Sequence, residues 1–465
     1  MGGWQGPRRW QLGSPPMRPL ARHSAPFIVA DSKDGRTRQP VSMRCESRAV
    51  KVRIHRGAHE VGGNCVEIEH DGARLVLDLG WPLGVEPDVD LALPTVTGLA
   101  DGDDPSLLGV LLSHPHFDHY GLLAKVPRGV PVYLGEAACR ILREAAFFTG
   151  MGLTIDAAGF LRHREAFALG PFRITPYLND HSAFDAYSLL VEAGSRRLFY
   201  TGDLRAHGRK AGLFEELLRR PPQNVDVLLM EGTHVRADTD GTERAPSESD
   251  VENACVATFR ATEGMVLALY SPQNVDRLVT MYKAAIRADR IFVMDLYTAA
   301  VVAATGRITI PQADWDRVRV YLPNSQRAKV IKEQAFERTD AVRSARIFPE
   351  EMAARRAELV MTFRMSMARE LESATCFAGA SAVWSMWPGY LREPSGKALS
   401  AFLDRHGIPL QIHHASGHAF IPDLQRLVEA LAPQRLVPIH TFAGDRFAQF
   451  FPRVQREPDG VWWEV

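Results

Sequence analysis

The chemistry-bearing residues of this chain concentrate in one heptapeptide, Ser113-His114-Pro115-His116-Phe117-Asp118-His119. Three imidazoles and a carboxylate within six positions are ligand types that zinc prefers, and ordinary surface loops rarely gather four such groups. Pro115 disfavours a helix and the apolar run Gly109 to Leu112 comes just before, so the segment is expected to be a loop at a strand end. Alternation along an extended chain puts His114, His116 and Asp118 on one side and turns His119 to the other, which can feed two metals rather than one. Asp180-His181-Ser182 follows the run Ile174 to Leu178, and Thr201-Gly202-Asp203 follows Arg197 to Tyr200. Either alone would be an ordinary turn.

Two more histidine motifs lie near the C-terminus, His413-His414-Ala415-Ser416-Gly417-His418 and Val437-Pro438-Ile439-His440. Ser416-Gly417, between His414 and His418, can form a backbone nest for a phosphate, and Ser271 in Tyr270-Ser271-Pro272-Gln273-Asn274 can assist it; a plain turn is the alternative at both. Trp384, Trp387 and Tyr390 offer stacking faces for bases, although a core contact is the commoner fate of such aromatics.

The elements that must position these groups read as alternating strands and helices. Short strand patterns at Val52 to His55, Cys65 to Glu69 and Arg74 to Asp78, separated by glycines and the Asp71-Gly72 turn, give a hairpin-rich sheet. Further strands are expected at 109–112, 131–134, 187–192, 197–201 and 226–230, with a helix over Ala137 to Phe148, so the class is α/β. The polar stretch 236–249 marks a boundary, after which strands at 265–270, 291–295 and 318–322 alternate with the amphipathic helix Val275 to Ala288 in a second α/β unit. The segment 349–372 reads as helix-rich and Phe377 to Ser385 as a buried strand. The organisation expected is a flexible tail over 1–48, a first part over 49–235, an inserted unit over 236–394 and a return segment over 395–465.

A chain of 465 residues is long enough for two domains or one with a large insertion. Fifty-five Lys plus Arg balance fifty-five Asp plus Glu, so a polyanion must be held by a local basic surface. Five scattered cysteines without a CxxC pair argue against a disulfide scaffold or thiolate cage and fit a reducing cytoplasm. No apolar run approaches the ~18 residues that span a bilayer, so no membrane partner is expected. The Arg- and Pro-rich start is a weak fit to an organelle transit peptide, and Met43 is an alternative start.

Together and in this order the motifs resemble the metallo-β-lactamase superfamily from about Val50 to Thr233, and over nearly all the chain after the tail its β-CASP branch, the ribonuclease J-like members in particular. The resemblance implies an αββα sandwich with an inserted α/β β-CASP cap, substrate running in the cleft between them. It implies that His114, His116 and His181 hold one zinc, that Asp118 and His119 hold the other, and that Asp203 bridges them. Asp78 would orient a ligand histidine. Glu231, in Leu229-Met230-Glu231-Gly232-Thr233, matches the first acidic motif of the branch, His418 the second motif and His440 the third. The implied roles are His418 as general acid, Glu231 as its orienting partner, His440 as an extra ligand to the second zinc, and Asp118 as both ligand and catalytic residue.

The cofactor expected is two Zn²⁺, with Mn²⁺ or iron as alternatives for the same ligands. The reaction implied is cleavage of RNA phosphodiester bonds by a hydroxide bridging the two zincs, single-stranded RNA being the partner and DNA the alternative one. The competing readings are a hydrolase of a small-molecule phosphodiester, ester or lactone with the cap as a lid, and a non-catalytic binding subunit. The resemblance departs at Thr441-Phe442-Ala443, where the family continues with glycine and an acidic residue. Exonuclease against endonuclease mode and a homodimeric state are left open.

Overall fold

Along β3 (Ala73–Leu77), Leu75 and Leu77 enter one buried core while Val76 enters another, the period-two behaviour of a strand covered on both faces. That pattern recurs through two facing sheets. A computed structural model describes residues 49–86 and 89–465 of the chain. The tail expected over 1–48, with Cys45 and Met43, lies outside the described residues.

The first sheet contains β1 (Lys51–Arg56), β2 (Cys65–His70), β3, β4 (Leu107–Leu111), β5 (Val132–Gly135) and β6 (Gly159–Leu161), with the C-terminal strand β20 (Trp462–Glu464) beside β1. It is antiparallel from β20 to β3 and parallel from β3 to β6. The second sheet runs β7 (Phe167–Leu169), β8 (Phe172–Leu178), β9 (Tyr187–Ala193), β10 (Arg196–Tyr200), β11 (Val227–Glu231), then β19 (Arg435–Ile439). Val52, Ile68 and Leu75 from the first sheet share one core with Leu189, Val227 and Val437 from the second.

The outer faces carry helices. Ala138, Cys139 and Leu142 of helix Glu136–Thr149 share a core with Val110 and Leu134 of the first sheet. Helices Ala211–Arg219 and Ile421–Leu431 bury Phe214, Leu217 and Leu424 with Phe199 and Leu228 of the second. The result is the αββα sandwich.

Strand β11 pairs directly with β19, so residues 232–434 are an excursion from the second sheet. Within it lies a third, all-parallel sheet of β12 (Val266–Leu269), β13 (Ile291–Asp295), β14 (Val318–Tyr321), β15 (Arg346–Ile347), β16 (Leu359–Thr362), β17 (Ser381–Trp384) and β18 (Leu410–Ile412), in the order β15-β14-β13-β16-β12-β17-β18. Separate apolar clusters cover its two faces, as a parallel sheet requires.

Two expectations are corrected here. The stretch 349–372 is not simply helix-rich, because β16 lies inside it at the centre of the third sheet. A four-residue apolar run between single helical turns carries no period that separates strand from helix. The return to the sandwich does not begin at 395 either. Helix Pro394–Arg405 packs Leu399, Phe402 and Leu403 under the third sheet, and β18 extends that sheet, so the crossing follows residue 412. Among the described residues no helix is long and apolar enough to cross a membrane, and Cys65, Cys139, Cys255 and Cys376 are free and buried.

Candidate metal centre

Strand ends of the two facing sheets converge on one point. His114 and His116 leave β4, His181 leaves β8, Asp203 leaves β10, Glu231 ends β11 and His440 follows β19. The turn into Asp203 needs Gly202, which has φ +53° and would place a Cβ 2.9 Å from Ser113 Cβ. His440 and Asp78 also occupy the left-handed region, at φ 56° and 57°, a strained conformation for residues with side chains.

The chain after Pro115 does not stay extended. It winds one helical turn over Phe117–Tyr120, which corrects the expected alternation. That turn carries Asp118 away from His114 and His116 and brings it beside His119. Two donor groups result, each with ligand atoms within 4.8 Å of one another: His114, His116, His181 and Asp203 in one, Asp118, His119, His440 and Asp203 in the other.

Asp203 is the shared member. Its Oδ2 lies 3.2 Å from His119 Nε2 and 3.5 Å from His114 Nε2, and its Oδ1 lies 3.8 Å from His440 Nε2. His440 Nε2 is also 3.9 Å from Asp118 Oδ2. Yet His114 Nε2, His119 Nε2, His440 Nε2 and Asp203 Oδ1 are buried with no hydrogen-bond partner among the described residues. Such atoms are costly unless something else satisfies them, and their convergence fits metal ions. Burial holds the imidazoles of His114, His181 and His440 below their ordinary range and that of His116 at about 4, so they are neutral, as a ligand must be. Burial would also lower His119, but Asp203, Asp118 and Asp78 push it well above its usual value. Burial would raise the Asp203 carboxyl, but His119, His440 and His418 hold it well below the usual range.

The far nitrogens are fixed by a second layer. Asp78 Oδ2 lies 2.8 Å from His119 Nδ1 and accepts hydrogen bonds from Tyr200 OH at 2.6 Å and Ser113 Oγ at 2.7 Å. Gly417 O lies 2.6 Å from His181 Nδ1, and Asn64 Oδ1 3.1 Å from His440 Nδ1. Each contact leaves Nε2 free to face the centre. Tyr200 and Asn64 gave no signal in the sequence, since a tyrosine closing a strand and an asparagine after two glycines read as ordinary.

His418 stands at the rim. Its Nδ1 is 3.3 Å from Glu231 Oε1, 3.1 Å from Thr233 Oγ1 and 3.8 Å from Asp203 Oδ2. Burial would lower its pKa, but Glu231 and Asp203 outweigh it and raise it to about 9. Ser416 lies in the same loop, its Oγ 2.7 Å from His234 Nε2 and accepting the His418 N–H at 3.1 Å. Beside the nest expected at Ser416-Gly417, the His418 N–H donates to Ser416 Oγ and the Ser416 carbonyl accepts from Arg205 at 2.9 Å. His414 Nδ1 is buried without a partner. Ser271 is exposed at the end of β12, and no hydrogen bond joins it to Ser416 or His414. Trp384 is buried, whereas Trp387 and Tyr390 are exposed and meet edge-to-face at 5.3 Å.

A second buried polar cluster, missed by the sequence, ties these loops together. Arg205, two residues after Asp203, donates to Asp276 Oδ2 at 2.6 Å and to Glu248 Oε1 at 3.2 Å. Arg277 donates to Glu248 at 3.0 and 3.1 Å, to Ser385 Oγ at 2.6 Å and to Ala415 O at 3.2 Å. Lys210 joins Asp276 at 2.7 Å to the His181 carbonyl at 2.9 Å. Arg205 and Arg277 are fully buried, whereas charge in a sequence reads as surface.

Two family models match the chain. Residues 86–269 match the beta-lactamase superfamily domain, and residues 410–443 match the Zn-dependent metallo-hydrolase RNA specificity domain. Ribonuclease J of Mycobacterium tuberculosis is 28% identical over 257 residues, 52% of this chain and 44% of that protein. Ribonuclease J of Sinorhizobium meliloti is 23% identical over 364 residues, 76% of this chain and 61% of that protein. The chain thus spans less than two thirds of these relatives' length. A crystal structure of a protein of unknown function from Enterococcus faecalis V583 has a similar fold, with a TM-score of 0.71 at 19% identity, covering 90% of this chain and all of that one.

Layered sheets and converging histidines and aspartates define a metallo-β-lactamase-fold protein with a metal centre. Within that fold the chain is similar to ribonuclease J proteins, and its segment 410–443 to the RNA specificity domain of Zn-dependent metallo-hydrolases.

Proposed function

We propose that this chain is a zinc-dependent hydrolase of RNA phosphodiester bonds. In this reading His114, His116 and His181 hold one zinc, Asp118, His119 and His440 hold a second, and Asp203 is common to both. The observation that carries it is the pair of donor groups meeting at Asp203, with three partnerless imidazole nitrogens aimed between them. The RNA-specificity model over residues 410–443 and the ribonucleases among the relatives support RNA as the substrate. The third-sheet unit is read as the cap over the substrate cleft. Buried free thiols and the lack of a membrane-crossing helix among the described residues support a cytoplasmic protein.

When bound, a zinc pair supplies Lewis acidity toward phosphoryl oxygens and makes hydroxide available near neutral pH. The chain's own groups do the rest. His418, anchored through Nδ1 by Glu231 Oε1 at 3.3 Å and pushed toward its protonated form by that carboxylate, serves through its Nε2 as the acid for the departing oxygen. Thr233 contributes to fixing the ring, its Oγ1 3.1 Å from the same nitrogen. Asp78 keeps His119 in the tautomer whose Nε2 faces the centre.

The test is to incubate the zinc- or manganese-loaded protein with matched RNAs labelled at the 5′ or the 3′ end. Product ladders reveal cleavage and its direction together. A protein inert toward every RNA and DNA, yet turning over a generic ester, overturns the reading.

A further inference from the structure

Away from the metal centre, a cavity of about 810 Å³ opens at the carboxyl ends of β14 and β15. Its walls include Arg327, Arg346 and Arg369. Among the described residues none of the three forms an ion pair. Arg327 reaches Asn324 Oδ1, and Arg346 lies over the Phe348 ring with its guanidinium carbon 5.0 Å from the centroid. Two carboxylates share the walls without a direct ion pair to these arginines: Glu370, which accepts from Tyr321 OH at 2.6 Å and from Asn324 N–H at 2.9 Å, and Glu350, in the first turn of helix Pro349–Ala354. Phe348 is 50% exposed at the same cavity. Elsewhere the third-sheet unit pairs its inner arginines closely, Arg277 with Glu248 at 3.0 Å and Arg364 with Asp295 at 2.9 Å.

The cavity shares a rim with the metal centre. All seven strands of the third sheet are parallel, so their carboxyl ends lie on one edge. On that edge β12 leads to Asn274, which bridges to Ala183 two residues from His181, and β18 leads into the loop of His418. Three strand spacings of about 4.8 Å separate β12 from β14, which sets the cavity roughly 15 Å along the rim. Three guanidiniums that outnumber the carboxylates in the same walls, beside an exposed ring, match what holds single-stranded nucleic acid, since charge follows the backbone and a ring stacks on a base. In a chain with fifty-five acids against fifty-five bases, such a patch is a local device rather than a result of composition.

We propose that this groove is a second RNA-binding subsite, holding the stretch of single-stranded substrate that extends from the cleft along the cap rim. It rests on the reading of the chain as an RNA hydrolase. Its ligand is the sugar-phosphate backbone, contacted by Arg327, Arg346 and Arg369, with one base against Phe348.

Fluorescence anisotropy tests it with a labelled oligouridylate of about twelve nucleotides and a labelled trinucleotide, on metal-loaded protein carrying His418→Ala so that the RNA stays intact. With the groove intact, the longer RNA binds roughly tenfold or more tighter than the shorter one. In the Arg327→Gln, Arg346→Gln, Arg369→Gln combination that advantage collapses, and the slope of log affinity against log salt flattens by about two. Phe348→Ala weakens the longer RNA without changing the salt slope. Arg369→Glu alone is the second variant should the combination unfold, and it weakens the longer RNA more than Arg369→Gln does. A length advantage and salt slope kept in all these variants overturn the subsite while leaving the hydrolase reading intact. Parent protein that binds neither RNA removes both.

Discussion

Two buried polar clusters lie side by side in this molecule, and they are built on opposite rules. Around Asp203, donors converge without partners, leaving His114, His119 and His440 each with a bare nitrogen. Around Glu248, Arg205, Arg277 and Lys210 are set against Asp180, Asp276 and Glu248, and only Arg205 Nε and Asp180 Oδ1, 3.5 Å apart, lack a hydrogen bond. One cluster is complete only with a cation from outside. The other completes itself, and in doing so pins the Asp203, His181 and His418 loops to the third-sheet unit. Geometry for metal binding is thus set by charges that bind no metal.

Breaking the first cluster at its rim should give the largest effect. His418→Ala removes the proposed acid and lowers RNA cleavage by about 10²- to 10⁴-fold. Bound metal, read by elemental analysis, should stay at the parent level; loss of metal would move His418 from proton donor to ligand.

Breaking the second cluster should appear as stability first. Glu248→Ala strands Arg205 and Arg277 in a buried site and costs about 3–5 kcal/mol by denaturant unfolding. An unchanged midpoint would show that the network is slack.

Asp78→Asn sharpens the comparison, because it alters the support of a donor without removing it. The contact to His119 Nδ1 weakens, and metal affinity by competition with a chelator should fall about 10- to 100-fold. Unaltered affinity would mean that Ser113 and Tyr200 hold the geometry alone.

The smallest effect is one of pH. Burial opposes ionisation of Glu248, but Arg277, Arg205 and Thr280 outweigh it and hold its carboxyl at about 2, below the ordinary value of 4.5. A depressed carboxylate stabilises the fold in full above its unfolded pKa, and that contribution is lost as pH falls through the folded one. Wild-type stability should therefore drop between about pH 4.5 and 2 by more than that of Glu248→Gln. Parallel curves would contradict the pairing.

The sequence disclosed the strands well, because alternation in β1 to β3 and the apolar runs of β13 and β19 are set by which face is buried. The histidine and aspartate types were legible for a similar reason, being rare in such density. Three things were not. Alternation alone set Asp118 beside His114 and His116, whereas one helical turn after Pro115 places it beside His119, the pairing that the resemblance implied. β16 was hidden among helical turns, and Pro394 suggested a boundary where the chain still packs on the third sheet. The Arg205–Glu248–Arg277 network left no local trace, because its members are 29 to 72 residues apart and nothing in a single charge announces burial.

The most direct test of a two-ion centre shared at Asp203 is the metal content of purified, dialysed protein reconstituted with zinc, beside Asp203→Ala prepared identically. The account predicts two zinc equivalents per folded wild-type chain and a clear loss in the variant. Folded wild-type protein that retains no zinc, or a variant that retains both ions, would contradict it.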